Sequence, residues 1–327
     1  MTEILQETDF KKAKLQSAEI VLKYQNFNPK KAKNIHKCGD WLEFAKKENI
    51  QTLEQKLKLQ NADFCRERYC PMCLSRKSKK LAVEFYSVLK HIEAQNKVRY
   101  IFVTFTVKNP LIVDLRATVN HINQSFKRMK ETKRFKNSIL GYLRSTEFMG
   151  SKTPEGEAHP HFHCLFVVPA KYFDTKHKLY IKQDEWREMW QKALRVDYLP
   201  SVDVKIIRPK KDASDPIASA IAETVKYPIK SEYLTKMSDE DFEELNYQTK
   251  GLRVLATGGV IKEALKKLKL DLEDDTDLIH FSKQEDEIWR LIEILRYEFE
   301  NGDYRLKEIK PPARENEEQK NARPHTR

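Results

Sequence analysis

His159, His161 and His163 stand at alternate positions in His159-Pro160-His161-Phe162-His163-Cys164-Leu165-Phe166-Val167-Val168. Side chains on a strand alternate between faces, so the three imidazoles would point the same way. Phe162, Cys164 and Phe166 would pack on the other face, and Leu165 and Val167 would extend the histidine face as apolar residues. Pro160 sits at the start, where a strand tolerates a missing N–H. Neutral imidazole is a common ligand, so two or three on one face suit a divalent metal ion. The plainer alternative is three histidines satisfied within core or surface. Three of the chain's nine histidines on one face favour the metal.

A second group is Cys38, Cys65, Cys70 and Cys73. The last three are spaced Cys-x4-Cys-x2-Cys with Pro71 inside the final pair. A Cys-x-x-Cys turn aims two thiolates at one tetrahedral ion, and Cys38 could add a fourth ligand from upstream, with His36 as substitute. Structural zinc is the expectation; unpaired buried cysteines and a redox pair are the alternatives.

The third group lies in Asp215–Lys230. Asp215 suits an N-cap and Pro216 the first helical position. Glu223 and Tyr227 are four apart, one turn along the same side. Pro228 disfavours α geometry at Tyr227, so the helix should end there, with Tyr227 and Lys230 at its edge. Taken alone, Tyr227 would read as an amphipathic surface tyrosine.

The elements that must position these groups follow from periodicity. Residues 1–36 read as a helix and a basic arm, either solvated or lying on DNA phosphates. Arg76, Lys77, Lys79 and Lys80 open a helix with apolar Leu81, Phe85, Val88, Leu89 and Ile92, and its start is expected to contact phosphate. Residues 99–107 form a buried strand, and a helix with Leu115, Val119, Ile122, Phe126 and Met129 follows, capped by Asp114. Residues 139–148 form a strand that should pair with the histidine strand as a hairpin, placing Glu147 across from the imidazoles. Glu147 could add a carboxylate ligand there, or simply face solvent. A helix around Trp186 and Trp190 and a strand over 202–207 follow, the strand ending at the basic Arg208, Lys210 and Lys211. The order strand, helix, strand, strand, helix, strand predicts an α+β fold: an antiparallel β-sheet with helices on one face, related to the ferredoxin pattern. Residues 253–260 form a turn-bearing piece too weak for a phosphate loop. Residues 285–300 fit an amphipathic helix packed on the core or on a second subunit, and polar sequence from about Lys307 onward predicts disorder. The expected division is 1–95, 96–235, 236–306 and a tail over 307–327.

Sixty-one Lys and Arg against 49 Asp and Glu leave a net charge of +12 over 327 residues, pointing to a polyanionic partner, nucleic acid first. No apolar run approaches the roughly 20 residues that span a bilayer. The first residues lack the apolar core of a signal peptide, so a cytoplasmic protein with reduced thiols is expected.

Together these stretches resemble plasmid rolling-circle replication initiators of the HUH endonuclease superfamily. The resemblance is carried by Phe102-Val103-Thr104-Phe105-Thr106, by His161 and His163 around Phe162, by Glu223-x3-Tyr227-x2-Lys230, and upstream by Phe64-Cys65-Arg66-x-Arg68-x-Cys70-Pro71-x-Cys73. It spans roughly residues 38–260, and the motifs come in the family's order. It implies an HUH sheet (ferredoxin- or RRM-like) with an N-terminal zinc module and C-terminal helices. It implies that Tyr227 nicks one strand at the double-strand origin of plasmid DNA, leaving a 5′-phosphotyrosyl enzyme and a 3′-OH that primes a host polymerase, with a host helicase engaged. Glu223 would stand where others carry a second tyrosine and would activate water to end the cycle. Lys230 would orient the phosphate. His161 and His163 would hold Mg²⁺ or Mn²⁺ with Glu147, or with His159 in its place. Imidazole-rich sites bind Zn²⁺, Ni²⁺ and Cu²⁺ more tightly, so the residues alone leave the ion open.

Two other readings compete. A zinc-dependent DNA-binding regulator accounts for the cysteines and the charge but leaves the histidine strand unused. A transposase or mobilisation relaxase shares the chemistry and differs in the DNA joined. A homodimer is compatible with all three.

Overall fold

The computed structural model describes residues 2–207, 221, 224, 231–272, 276–280 and 289–312. Two antiparallel sheets form its frame. The larger takes the order β6-β3-β5-β4-β7, from β3 (Val98–Thr106), β4 (Gly141–Glu147), β5 (His161–Pro169), β6 (Val202–Ile206) and β7 (Leu255–Gly259). The smaller takes the order β2-β1-β8-β9, from β1 (Trp41–Asn49), β2 (Gln55–Ala62), β8 (Trp289–Glu300) and β9 (Asp303–Lys310). The α+β class and the hairpin of β4 with β5 agree with the sequence reading, and Glu147 pairs with His161 in register.

β5 is apolar on both faces along most of its length, because both faces are covered. Phe162, Cys164, Phe166 and Val168 pack with Phe126, Phe135, Trp186 and Trp190. These come from α4 (Leu115–Lys130), α5 (Lys133–Ser138) and α6 (Gln183–Leu194). Leu165 and Val167, on the opposite face, meet Leu81, Phe85 and Leu89 of α3 (Pro71–Gln95) and Ile261 and Leu265 of the helix Val260–Leu268. Helices therefore lie on both faces of the sheet, not on one as the sequence suggested. Strand order alone does not reveal that α3, which precedes the sheet in sequence, folds back over the face opposite α4 and α6.

The helix expected over 285–300 is not found at residues 289–300. Trp289–Glu300 is a strand paired with β1 on one side and β9 on the other. Its dense Ile, Leu and aromatic content matches a 3–4 spacing by accident, and β-branched and aromatic residues suit a pleated surface better. β9 continues through Lys310, so the disorder expected from Lys307 does not begin there. The C-terminal region is thus a hairpin after short helices. The N-terminal segment is no free arm either. α1 (Thr2–Gln25) buries Phe10, Ile20 and Tyr24 in a core shared with Phe44 and Tyr304 of the smaller sheet. Asp114 occupies the N-cap position of α4 but makes no capping hydrogen bond, because a 3₁₀ turn (Ile112–Asp114) leads directly into the helix.

The paired glycines of residues 253–260 are explained by close approach. Gly259 has φ +57° and ψ −141°, a region nearly reserved for glycine, and a Cβ there would collide with the Leu140 carbonyl oxygen. Gly258 lies against the Tyr142 ring. Gly259→Ala is expected to destabilise the fold by about 2–3 kcal/mol. Urea unfolding measures it, and a change within about 0.5 kcal/mol would mean the backbone relaxes there freely.

Candidate metal centres and basic surface

The histidine centre is built where β5 leaves the cover of α3. His161 and His163 share the face of Leu165 and Val167, at the first residues of β5. Glu147 Oε2 lies 3.5 Å from His161 Nε2, and Glu147 Oε1 lies 3.3 Å from His163 Nε2. The two Nε2 atoms are 3.2 Å apart. His161 Nδ1 donates to the carbonyl of His159 at 2.7 Å, which leaves the lone pair on Nε2, facing Glu147 and His163. His163 Nδ1 lies 3.1 Å from Thr104 Oγ1, and donation to that hydroxyl leaves its Nε2 lone pair facing the same point. Two lone pairs and a carboxylate converging on one point repel one another unless a cation sits between them. Without a cation, protons on the two Nε2 atoms meet the same need: burial raises the Glu147 pKa, but hydrogen bonds and charge from protonated His161 and His163 outweigh it and hold the carboxyl at about 2. The group is therefore an anion at any working pH, as a metal ligand must be. One ligand atom from each of Glu147, His161 and His163 falls within 4.8 Å of the others.

His159 stands outside this group. It precedes β5, and its Nδ1 donates to Asn109 Oδ1 at 2.7 Å. Its carbonyl orients His161, so its contribution is second-hand. The third member of the cluster is Glu147, not His159.

The cysteine centre joins the end of α2 (Pro29–Lys37), the loop before α3 and the first turn of α3. All four sulfurs lie within 4.8 Å of one another. Cys38 Sγ is 3.5 Å and Cys65 Sγ 3.8 Å from Cys73 Sγ. Tetrahedral Zn–S bonds of about 2.3 Å put sulfurs roughly 3.8 Å apart, so the cluster has the dimensions of a closed four-thiolate site. Backbone N–H groups of Cys65 and Arg66 donate to Cys38 Sγ and Cys73 Sγ. Arg66 adopts φ +59°, turning the chain so that these donors point inward. Hydrogen bonds from Cys38, Cys65 and Cys73 pull the Cys70 thiol well below its usual range, favouring thiolate. His36 is not needed as a substitute: Cys38 supplies the fourth sulfur, and the His36 carbonyl binds the buried Lys14 ammonium at 2.6 Å. Lys14 also donates to the Cys38 carbonyl and to Asp40, tying α1 to this module.

The basic start of α3 divides. Arg76 is buried, with its guanidinium donating to the carbonyls of Leu278 and Ile279 and lying over Phe10. Lys80 is buried as well. Neither suits a phosphate contact, and Arg76 acts as a clamp between α3 and the segment at 276–280. Lys79 pairs with Asp9 at 2.8 Å. Lys77 opens on a cavity described below. Tyr227, Glu223, Lys230, Lys210 and Lys211 lie outside the described residues.

Sequence reasoning missed β1, β2, β8 and β9. Asn301-Gly302 was a usable signal: both residues have positive φ, 50° and 79°, and they join Glu300 to its partner Asp303. An Asn-Gly pair between apolar runs is the strongest short hairpin signal there is.

An antiparallel α+β protein with a Glu-His-His group on one strand pair and a four-cysteine module beside it is the class that fold and site define. Residues 56–305 match the family described as Replication protein (Rep_1), and the chain belongs to that family. It is 35% identical over 258 residues to "Protein rep" of Streptococcus pneumoniae serotype 2, covering 78% of this chain and 77% of that one. It is 32% identical to "Protein rep" of Lactiplantibacillus plantarum over 78% of this chain and 80% of the relative. "Protein rep" of Lentilactobacillus hilgardii is 31% identical across 91% of this chain and 93% of its own length. No solved structure matches the chain significantly. Among the described residues, no helix is long and apolar enough to cross a membrane.

Proposed function

We propose that this protein initiates plasmid rolling-circle replication by nicking one strand of the double-strand origin, using an HUH-type site. The observation that carries the reading is the Glu147–His161–His163 group in a chain of the replication-protein family. Those three residues would hold Mg²⁺ or Mn²⁺. When bound, the ion supplies positive charge at a non-bridging phosphate oxygen.

Tyr227 is the nucleophile. Its phenol, with pKa near 10, is a weak nucleophile until it loses its proton. The bond from its oxygen to phosphorus forms as the bond to the 3′ oxygen breaks, and that oxygen leaves protonated as the 3′-OH primer end. The phosphotyrosyl ester keeps the bond energy for rejoining. Lys230 supplies mobile positive charge to the same phosphate. Glu223, four residues before Tyr227, takes a proton from the water that hydrolyses the linkage at termination. Two described residues of the same stretch support this reading. Ile221 is buried among Leu143, Leu165 and Val167, on the sheet face that carries His161 and His163. Thr224, one turn on, is fully buried. The cysteine module is a structural zinc site. Origin duplex and its exposed single strand are the DNA partners; a host helicase and polymerase act downstream.

The test is a cleavage assay on supercoiled plasmid carrying the origin, in Mn²⁺ or Mg²⁺, read on denaturing gels for a covalent adduct. Wild type is expected to form it, whereas Tyr227→Phe and EDTA-treated protein form none. An adduct that persists in Tyr227→Phe moves the nucleophile elsewhere, with Tyr233 first to be tried. Tight binding with no adduct on any origin DNA would leave a non-cleaving regulator.

A further inference from the structure

Between the cysteine module and the larger sheet lies a cavity of about 550 Å³. It opens on the same sheet face as the metal group. Ser145 lines it, two residues before Glu147 on the same side of β4 and paired with His163 across the ladder. Two residues along a strand span about 6.7 Å, so the cavity begins beside the Glu147–His161–His163 group. Its chemistry is divided. Arg66, Arg68, Lys77 and Arg253 bring cations to it. Leu81, Leu252, Leu255 and Leu278 give it an apolar wall. Arg68 donates to the Leu252 carbonyl and Arg66 to the Thr276 carbonyl, contacts that orient the two guanidinium groups. Among the described residues lining it, Glu67 is the one acid, and it is engaged by Asn34 at 3.0 Å and Lys31 at 3.9 Å. Ser145 Oγ is buried and has no hydrogen-bond partner among the described residues. A buried hydroxyl without a partner is costly, and a ligand atom in the cavity would satisfy it.

We propose that this cavity is a nucleotide subsite for single-stranded DNA, seating one unstacked nucleotide of the strand that the metal group cuts. A flat apolar base fits against the leucine wall, and the backbone phosphate fits the arginine–lysine rim. Stacking and electrostatic contact are the two terms by which single strands are held. A cavity of this size accommodates a nucleotide with its sugar. The metal group alone grips only a phosphate, so the adjacent subsite sets which phosphodiester reaches it. The four-cysteine module acquires a second role here, because Cys73 and the turn carrying Arg66 and Arg68 form one side of the cavity. The proposal rests on the reading of the metal group as the cutting site.

The experiment uses the full chain with its zinc retained and no added Mn²⁺ or Mg²⁺, so that nothing is cut, and measures fluorescence anisotropy with labelled dT8 and with dT8 carrying one abasic position at each site in turn. In wild type, one abasic position is expected to weaken binding about tenfold, in line with the loss of one stacked base. Leu252→Trp, which fills the cavity, removes that position dependence. Lys77→Glu with Arg253→Glu weakens dT8 binding at least tenfold and lowers the salt slope by about 1.4, two contacts at roughly 0.7 each for a single strand. Lys90→Glu, at the exposed far end of α3, changes binding less than twofold. A flat abasic scan, or charge variants no weaker than Lys90→Glu, overturns the subsite. Leu252→Trp decides the question if the double charge variant does not fold. Failure of the cutting reading looks different: abasic-sensitive binding persists, while no covalent adduct forms in Mn²⁺.

Discussion

Replacing His161 and His163 together by alanine is expected to abolish nicking while leaving DNA binding nearly intact. The Nε2 atoms of His161 and His163 lie 3.5 Å and 3.3 Å from the two Glu147 oxygens. Without them a single carboxylate remains, which does not hold a divalent ion against water. Metal-ion catalysis contributes several kcal/mol at the transition state; a loss of about 4 kcal/mol is roughly 10³-fold in rate. Neither imidazole is counted among the cations of the cavity, so affinity for single-stranded DNA should change less than threefold. Single-turnover nicking in saturating Mn²⁺, paired with calorimetric Mn²⁺ titration, reads both quantities. Nicking within tenfold of wild type would remove the metal from the mechanism, whatever the family resemblance implies. A Glu147→Gln protein separates charge from shape: it keeps the hydrogen-bonding outline of the side chain and loses the anion, so metal affinity should fall while the fold is unchanged.

Breaking the cysteine module is expected to be the most destabilising change in the molecule. The four sulfurs are buried or nearly so and sit within one hydrophobic core with Tyr24, Phe64, Tyr69 and Tyr304. Structural zinc supplies folding free energy outright, and its removal leaves buried thiols without partners of equal strength. A loss of even about 4–5 kcal/mol shifts the melting temperature by roughly 10–15 °C for a domain of this size. Cys73→Ser is the sharpest probe, because Cys73 lies within hydrogen-bonding distance of two other sulfurs and accepts the Arg66 amide. Elemental analysis should find one zinc per wild-type chain and none in the variant. A zinc-free wild type with an unchanged melting temperature would make the cluster four packed thiols and no more. Nicking by the surviving folded fraction should be less affected than stability, since the four sulfurs form a group separate from Glu147, His161 and His163.

The two centres differ in how far local sequence could reveal them. The period of two in His161-Phe162-His163 is a local property, and the hairpin that brings Glu147 opposite follows from two adjacent strands joined by a Gly- and Pro-containing loop. His159 shares the period but precedes the strand, and it falls outside the Glu147–His161–His163 group. Cys65, Cys70 and Cys73 are close in sequence, whereas Cys38 joins them only because α1 and α2 fold against α3. The basic run at 76–80 misled for a related reason. Charge is visible in sequence; which side chains a helix turns inward depends on what packs against it, and Arg76 is covered by the segment at 276–280.

Sequence by itself determined the chemistry available here: which side chains recur at strand and helix periods, where a tetrahedral thiolate site is possible, and that the partner is an anion. Those features are set by covalent order and by backbone geometry a few residues long. Tertiary structure alone decided that the strands from both ends of the chain, β1–β2 and β8–β9, pair in one sheet. It also decided that the Arg66–Arg68 turn, Lys77 and Arg253 line one cavity beside the metal group. Pairing across more than two hundred residues is chosen by the burial of whole faces, a collective free energy that no short window of sequence contains.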